Sequence, residues 1–222
     1  MEDAGVALPR AVSVQPLTAA RWPDLLELVG ERGNFSGCWC MWFRRRNANW
    51  VRAGNAGNRA GFQALVDADR VPGLLAYVDA KPVGWTSVAP RPEFERISMD
   101  PVAAAEGAPD APVWSVVCFY IHRDHRGTGV ATALLDAAIE HARSAGARTL
   151  EAYPVEPEGR TDNASAFTGL RSMFERAGFR ETGRFDRWAS VLEASTELPP
   201  ILRRHPGRPV MQLQIAATEA PA

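Results

Sequence analysis

The chain has 222 residues, 46% of them hydrophobic, and a formal net charge of -1 at pH 7. This length and composition suit one globular domain with an ample core. The near-neutral charge argues against nucleic acid or an anionic membrane as the main partner, because both require a basic excess. No stretch reaches the roughly 20 apolar residues of a membrane span, and the N-terminus has no apolar leader. Three cysteines, an odd number, do not form a disulfide framework, so we expect a cytoplasmic protein.

The first 90 residues predict a short strand, two helices and a hairpin. Residues 11–14 suit a strand, and a helix starting near Trp22 ends at Gly30. A loop at residues 54–58 is expected to lead into a second helix that Asn58 caps. Residues 74–78 and 83–89 read as the strands of a hairpin, because a turn-forming stretch separates two short apolar runs.

The middle of the chain carries its clearest pattern. Residues 114–121 form a nearly unbroken apolar run, which is typical of a strand buried on both faces. A glycine-rich turn follows, and after it comes a helical stripe that Gly146 terminates; the stripe comprises Leu134, Leu135, Ala138, Ile139 and Ala142. A glycine-rich turn that opens a helix gathers free N–H groups and the positive end of the helix dipole. It therefore predicts a site for a phosphate or pyrophosphate.

The remaining elements complete an α/β (α+β) fold. Residues 90–111 and the stretch before residue 209 are expected to be loops, the first with a short helix. A strand is predicted at 149–155, a helix at 166–177, and final strands at 179–185 and 209–215. This order predicts a mixed central sheet of six to seven strands with helices on both faces. Without repeats or a clear linker, we expect a single domain over residues 1–222, flexible at 1–10 and 216–222.

Two motifs resemble those of the GNAT superfamily of N-acetyltransferases. The acyl-CoA motif of that superfamily, Gln/Arg-x-x-Gly-x-Gly/Ala, is matched by Arg126, Gly129 and Ala131. Residues 173–179 are similar to its second helix, which ends in Gly-Phe, and residues 37–42, GCWCMW, look like a bacterial subgroup. The resemblance implies transfer of an acetyl group from acetyl-CoA to the primary amine of a small molecule by direct attack. A catalytically inert CoA-binding sensor or scaffold is the alternative, and a homodimer is possible by analogy.

The resemblance also implies positions for the donor. The CoA pyrophosphate is expected on the backbone N–H groups of the turn and first helical residues, which are Arg126, Gly127, Thr128, Gly129, Val130, Ala131 and Thr132. The pantetheine arm is expected to pair with the backbone of Phe119 and Ile121. Phe174 stands where many members carry a Tyr that protonates the leaving thiolate. A phenyl ring can contact the donor there but cannot supply a proton.

The proton chemistry has no assignment from the resemblance. Tyr153 and Glu151 on the strand after the motif, and Ser172 on the later helix, are the candidate catalytic residues. An ordered water, or an amine that arrives already neutral, remains an equal alternative.

The cysteines, tryptophans and arginines each have two interpretations. Cys38 and Cys40 lack the spacing and the roughly four ligands of a zinc site, so we predict buried thiols and no metal. Four indoles could line the acceptor pocket or fill the core: Trp39, Trp42, Trp85 and Trp114. Residues 44–46, three consecutive arginines, could form a solvated face or a clamp for an anion.

Overall fold

One mixed sheet holds the seven strands found among the described residues, which are 11–33, 37–98, 112–156, 166–185 and 208–216 of a computed structural model. The strand order is β1-β2-β3-β4-β5-β7-β6. The strands are β1 (Ser13–Pro16), β2 (Gly73–Val78), β3 (Lys81–Pro90), β4 (Val113–Ile121), β5 (Thr149–Ala152), β6 (Arg180–Phe185) and β7 (Arg208–Gln214). The predicted mixed sheet is confirmed.

Helices cover both faces of this sheet, as predicted. They are α1 (Trp22–Val29), α2 (Asn47–Asp67), α3 (Glu95–Ser98), α4 (Val130–Ser144) and α5 (Arg171–Arg176). One buried cluster joins α1, α2 and α3 to the sheet through side chains such as Leu25, Phe62 and Ile97. A second cluster joins α4 and α5 to the opposite face through Leu134 and Phe174. Within the described part of the chain, no helix is both long and apolar enough to cross a bilayer.

The central strand β4 is paired over nearly its full length on one side only, and its unpaired part leads to the glycine turn. It pairs with β3 in antiparallel fashion and with β5 in parallel fashion, but the β5 pairing covers only Val113 to Val116. On the β3 side, Val116 faces Val88 and Cys118 faces Ser87, so Val117 is the extra residue of a bulge. The last five residues of β4 therefore extend beyond its pairing with β5.

The predicted hairpin is confirmed as β2 and β3. Val78 pairs with Lys81, so only Asp79 and Ala80 form the connection. Both residues have positive φ, 51° and 61°, which is the conformation that a tight two-residue turn requires.

Three predicted boundaries are wrong. Residues 54–58 are not a loop before a helix: α2 already begins at Asn47 and continues through a kink at Gly54, where φ is 57°. Asn58 is consequently a buried residue within the helix, not its cap. The strand predicted at 149–155 ends at Ala152, and the helix predicted at 166–177 begins only at Arg171.

Residues 157–165, residues 99–111 and 186–207 of the expected loops, and the expected flexible ends at 1–10 and 216–222, except residue 216, lie outside the described residues.

Candidate functional site

The turn between β4 and α4 has the backbone conformation that its glycines suggest. Gly127 and Gly129 have φ of 74° and 89°, a region that residues with a Cβ atom rarely adopt. A Cβ atom at either position would meet no other atom within 4 Å. Backbone conformation, and not lack of space, is therefore what requires glycine in the free chain.

The start of α4 offers polar groups for an anion. The first N–H groups of a helix have no partner within the helix. At the start of α4, the N–H of Ala133 donates to the carbonyl of Gly129 at 3.0 Å. Arg123 and Arg126 are exposed beside the turn. The Nε of Arg126 donates to the carbonyl of Ile121 at 3.2 Å, which ties the turn to the end of β4. The arrangement suits a phosphate group.

The edge of β4 beyond Val116, which β5 leaves unpaired, lies next to this turn. One of its backbone groups is already bonded: the N–H of Phe119 donates to the carbonyl of Phe167 at 2.6 Å. The same segment also pairs with the chain that follows β5, because Val155 forms an isolated parallel bridge with Leu170. A short segment after β5 thus occupies the space where β4 and β5 separate.

A buried polar network lies on the sheet face that α1 to α3 cover. The Tyr153 hydroxyl donates to Oε2 of Glu151 at 2.6 Å and lies 3.1 Å from Oγ of Ser115. The Nε2 of Gln212 donates to Oε1 of Glu151 at 2.9 Å. The Nε of Arg91 lies 3.1 Å from Oε2 as an ion pair, at an angle outside hydrogen-bond geometry. Two predicted catalytic residues are therefore in direct contact.

Burial shifts the pKa values of Glu151 and Tyr153. It raises the pKa of Glu151, while the hydrogen bonds from Tyr153 and Gln212 and the charge of Arg91 act in the opposite direction. Burial and the neighbouring carboxylate raise the pKa of Tyr153 well above its usual value. Tyr153 is therefore a neutral phenol at physiological pH and donates its proton to Glu151.

Comparison with known proteins decides the family. The sequence model of the acetyltransferase (GNAT) family matches residues 27–179. The chain belongs to this family. No curated protein sequence matches it significantly.

Solved structures agree with the GNAT fold. A ribosomal-protein-alanine N-acetyltransferase from Brucella melitensis is 22% identical, with a TM-score of 0.51, covering 91% of this chain and 99% of its own. An acetyltransferase from Salmonella typhimurium, described with its cofactor acetyl-CoA, is 18% identical, with a TM-score of 0.52 and coverage of 96% and 98%. A mutant of agmatine N-acetyltransferase is 12% identical, with a TM-score of 0.54 and coverage of 92% and 100%. At these identities the likeness concerns the fold alone.

The four tryptophans of the predicted acceptor pocket do not share one site in this GNAT domain. Trp39, Trp42 and Trp85 are buried in the cluster under α1 and α2. Trp114 lies on the opposite face of the sheet, with its ring 5.4 Å from that of His141 on α4. A small apolar cavity does border Trp39 and Trp85, together with side chains of α1 and α2. The four indoles mainly fill the core.

The two remaining helix candidates are not positioned beside the network. Ser172 is exposed on α5. Phe174, two residues later, is fully buried and packs edge-on against Phe119 and Phe179. Its ring therefore belongs to the core of the free protein, and a contact with the donor would require a rearrangement.

The arginines and cysteines have structural roles among the described residues. Arg44, Arg45 and Arg46 bind Glu93, Asn58 and Glu95 respectively, so they do not form a common anion clamp. Burial raises the pKa of Cys38 to about 12. The part of the chain that is described contains no cluster of metal ligands.

The sequence interpretation missed Arg91, Ser115 and Gln212. Ser115 is a polar residue within an otherwise apolar strand, and Gln212 is a polar residue in the final strand. Both positions stand out in the sequence, because a polar side chain in a buried strand normally needs a hydrogen-bond partner. The partner itself could not be predicted, because it lies on a different strand.

Proposed function

We propose that this GNAT protein is an acyl-CoA-dependent N-acetyltransferase that transfers acetyl from acetyl-CoA to the primary amine of a small molecule. The observation that carries this proposal is the glycine turn from Gly127 to Gly129, which opens α4 at the point where β4 extends beyond β5. The turn offers N–H groups to a pyrophosphate, and the extended strand offers an edge for the pantetheine arm. The acetyl-CoA in the Salmonella typhimurium structure of the same fold supports this reading.

The donor would be held mainly by the backbone. The N–H groups of residues 126–132 receive the pyrophosphate, with the exposed guanidinium of Arg123 adding charge nearby. The backbone of Phe119 and Ile121 receives the pantetheine arm. Because the Phe119 N–H is bonded to Phe167 in the free chain, this pairing replaces the Phe167 carbonyl with a carbonyl of the donor.

The reaction needs no covalent enzyme intermediate. The amine nitrogen attacks the thioester carbonyl, the C–S bond breaks, and the attacking nitrogen loses a proton. The protein positions the two substrates and receives that proton. Glu151 and Tyr153 are the candidates for the proton, because they are in direct contact on the β5 side of the open strand edge. Ser172 is not placed to assist them.

Calorimetry with acetyl-CoA tests the donor site. We expect binding by the unchanged protein and weaker binding by Gly129→Ala, because alanine disfavours φ 89° by about 1–2 kcal/mol and so shifts the turn away from the conformation that presents its N–H groups. Gly146→Ala is the matched control. Gly146 also has positive φ, 83°, and no atom near a Cβ position, but it lies at the other end of α4. Absence of binding by the unchanged protein, or equal weakening by both variants, would contradict the proposal.

The inert CoA-binding module is the second candidate, because the buried ring of Phe174 supplies no acid where many relatives have a tyrosine. Thiol release from acetyl-CoA in the presence of a panel of primary amines separates the two. Turnover of any amine excludes the inert module.

A further inference from the structure

The structure assigns a positioning function to Thr86 of β3. Its hydroxyl holds and polarises the peptide group that joins Cys118 to Phe119, and the N–H of this peptide group is the one that the proposed donor site offers to acetyl-CoA. The inference rests on the proposed acetyl transfer. It concerns a residue outside the glycine turn and outside both sequence motifs, which acts through the peptide group and not on either substrate.

Thr86 is a polar residue at the centre of a buried strand. All residues of β3 from 83 to 89 are buried, and the side chain of Thr86 is fully so. Burying a hydroxyl is unfavourable unless it finds a hydrogen-bond partner. Oγ1 of Thr86 donates to the carbonyl of Cys118 on the adjacent strand β4 at 3.0 Å. The hydroxyl is therefore committed to one peptide group of β4.

The bulge in β4 explains why a side chain is useful at this place. Val117 is the extra residue of that bulge, so the regular ladder between β3 and β4 is interrupted directly before Cys118. A bulge bends its strand and re-aims the groups around it. The bond from Thr86 fixes the Cys118 carbonyl on the β3 side immediately after the interruption.

The Cys118 carbonyl and the Phe119 N–H belong to the same planar peptide group. In a trans peptide these two groups point in opposite directions, so a carbonyl held toward β3 directs the N–H toward the edge that β5 leaves unpaired. In the free chain this N–H donates to the carbonyl of Phe167 at 2.6 Å, which is short for an N–H···O bond. Thr86 thus sets the direction of the N–H from the other side of β4.

The hydroxyl also strengthens the N–H as a donor. Hydrogen bonds that follow one another in a chain polarise each other, by about 10–30% per bond. The bond from Thr86 draws electron density toward the Cys118 oxygen, which leaves the Phe119 N–H more positive. The hydroxyl, the peptide group and the carbonyl that accepts from Phe119 form one such chain across β4.

This strengthening acts on the reaction more than on binding. Binding of the donor exchanges the neutral carbonyl of Phe167 for another neutral carbonyl, so a change in the strength of the N–H nearly cancels. When the amine attacks, negative charge develops on the thioester oxygen, and a preorganised N–H that faces it stabilises the transition state more than the ground state. The contribution of Thr86 therefore appears in kcat.

Three variants separate the hydroxyl from the shape of the side chain. Thr86→Val keeps the branched shape and removes the hydroxyl, whereas Thr86→Ser keeps the hydroxyl. Ser87→Ala is the matched control. Ser87 is also fully buried in β3, but its hydroxyl donates to the carbonyl of Pro72 at 3.3 Å and not to β4.

Nuclear magnetic resonance of the free full chain is the first measurement, and it requires no substrate. We expect Thr86→Val to move the amide proton of Phe119 upfield and to speed its exchange with solvent, because its bond to Phe167 becomes weaker. Thr86→Ser should restore the shift, and Ser87→Ala should leave it unchanged. A merely structural role of Thr86 would speed exchange along β3 and β4 alike without this selective shift.

Steady-state kinetics with an amine that the unchanged protein acetylates is the second measurement. Thr86→Val should lower kcat by about 2- to 10-fold with nearly the same KM for acetyl-CoA. Thr86→Ser should restore kcat, and Ser87→Ala should not change it. If Thr86→Val does not fold, Thr86→Cys takes its place, because a thiol is a weaker donor than a hydroxyl and should give a smaller change in the same direction.

The outcomes separate the function of Thr86 from the proposed acetyl transfer. An unmoved Phe119 amide proton, a loss of kcat that Thr86→Ser does not restore, or an equal loss in Ser87→Ala overturns the function of Thr86 and leaves acetyl transfer intact. Binding of acetyl-CoA by the unchanged protein without turnover of any amine overturns acetyl transfer and, with it, the effect of Thr86 on kcat. The amide shift in the free chain still shows in that case whether Thr86 polarises the peptide group.

Discussion

At the scale of single residues, Arg44 shows how strongly a buried cation depends on one carboxylate. Its side chain is 3% exposed, lies 2.5 Å from Glu93 and covers the ring of Phe94. Burial lowers the pKa of Arg44, and the carboxylate of Glu93 acts against that shift. Arg70 binds the other oxygen of Glu93 from the surface, where half of its side chain is exposed. The same carboxylate therefore has one buried and one exposed partner.

We predict that Glu93→Gln lowers the free energy of unfolding by about 3–5 kcal/mol, because it leaves the Arg44 charge buried without compensation. Arg70→Gln removes only the exposed pair to the same carboxylate and should cost about 1 kcal/mol or less. Urea denaturation of both variants measures the difference. Equal losses would show that the burial of Arg44 does not decide the effect.

The sequence could not choose between the interpretations of residues 44–46. Their residue types allow either a solvated face or an anion clamp. The deciding partners, Glu93 and Glu95, are 49 positions away from the arginines that they bind. Only the fold brings them together. The contacts of Arg91 and Gln212 with Glu151 could not be predicted for the same reason, since both residues come from distant segments.

At the scale of elements, α4 packs onto the sheet at a glycine. A Cβ atom on Gly84 of β3 would lie 2.7 Å from Cγ1 of Val130 and 3.1 Å from Cδ1 of Leu134. Val130 is the first residue of α4. The close approach at Gly84 thus fixes where the helix, and with it the glycine turn, lies relative to β4.

Gly84→Ala should therefore affect both stability and donor binding. We expect a loss of about 1–3 kcal/mol in the free energy of unfolding, which is usual for overpacking, and weaker binding of acetyl-CoA because the start of α4 is displaced. Gly178→Ala is the control. Its positive φ, 89°, makes it destabilising too, but it follows α5 and does not touch α4. Calorimetry below the unfolding temperature should show weaker binding only for the Gly84 variant. Unchanged binding there would mean that the turn does not depend on this contact.

Predictions for elements succeeded where the local signal was strong. The apolar run of β4, the stripe of α4 and the hairpin of β2 and β3 were found within a few residues of their observed bounds. The start of α2 was missed because Gly54 and its polar neighbours resemble a loop. The local signal was correct only at Gly54, whose backbone is not helical; the residues on either side of it are helical, and Asn58 beyond the kink is buried and accepts a hydrogen bond from Arg45.

At the scale of the whole molecule, the sheet separates two halves with different chemistry. The half with the proposed donor turn comes from one continuous stretch of sequence, so its turn and helix could be predicted. The other half contains the polar network and the thiols, which come from many segments. Trp85 donates to Cys40 at 3.0 Å, and Cys118 lies on the adjacent strand β4. A hydrogen bond to Cys40 and burial raise the pKa of Cys118 well above its usual value.

These raised pKa values predict unreactive thiols. The thiolate is the reactive form, so the folded protein should react with a chromogenic aromatic disulfide at about pH 8 far more slowly than free cysteine. After unfolding in guanidinium chloride, all three thiols should react. Absorbance of the released aromatic thiol measures both stages. Rapid release of one equivalent from the folded protein would contradict the raised pKa values of Cys38 and Cys118.

In the donor site proposed above, the contact between Phe119 and Phe167 would make the carbonyl of Phe167 an internal competitor of the donor. The N–H of Phe119 would bond the carbonyl of Phe167 in the free protein and a carbonyl of acetyl-CoA in the complex. It would therefore have a partner in both states, which avoids the cost of an unpaired buried N–H. The affinity of that site for acetyl-CoA would then be the intrinsic affinity multiplied by the fraction of molecules in which Phe167 has withdrawn. Substitutions that weaken the closed segment would tighten donor binding although they touch no atom of the donor. Affinity at the proposed donor site would thus be adjustable by residues outside that site.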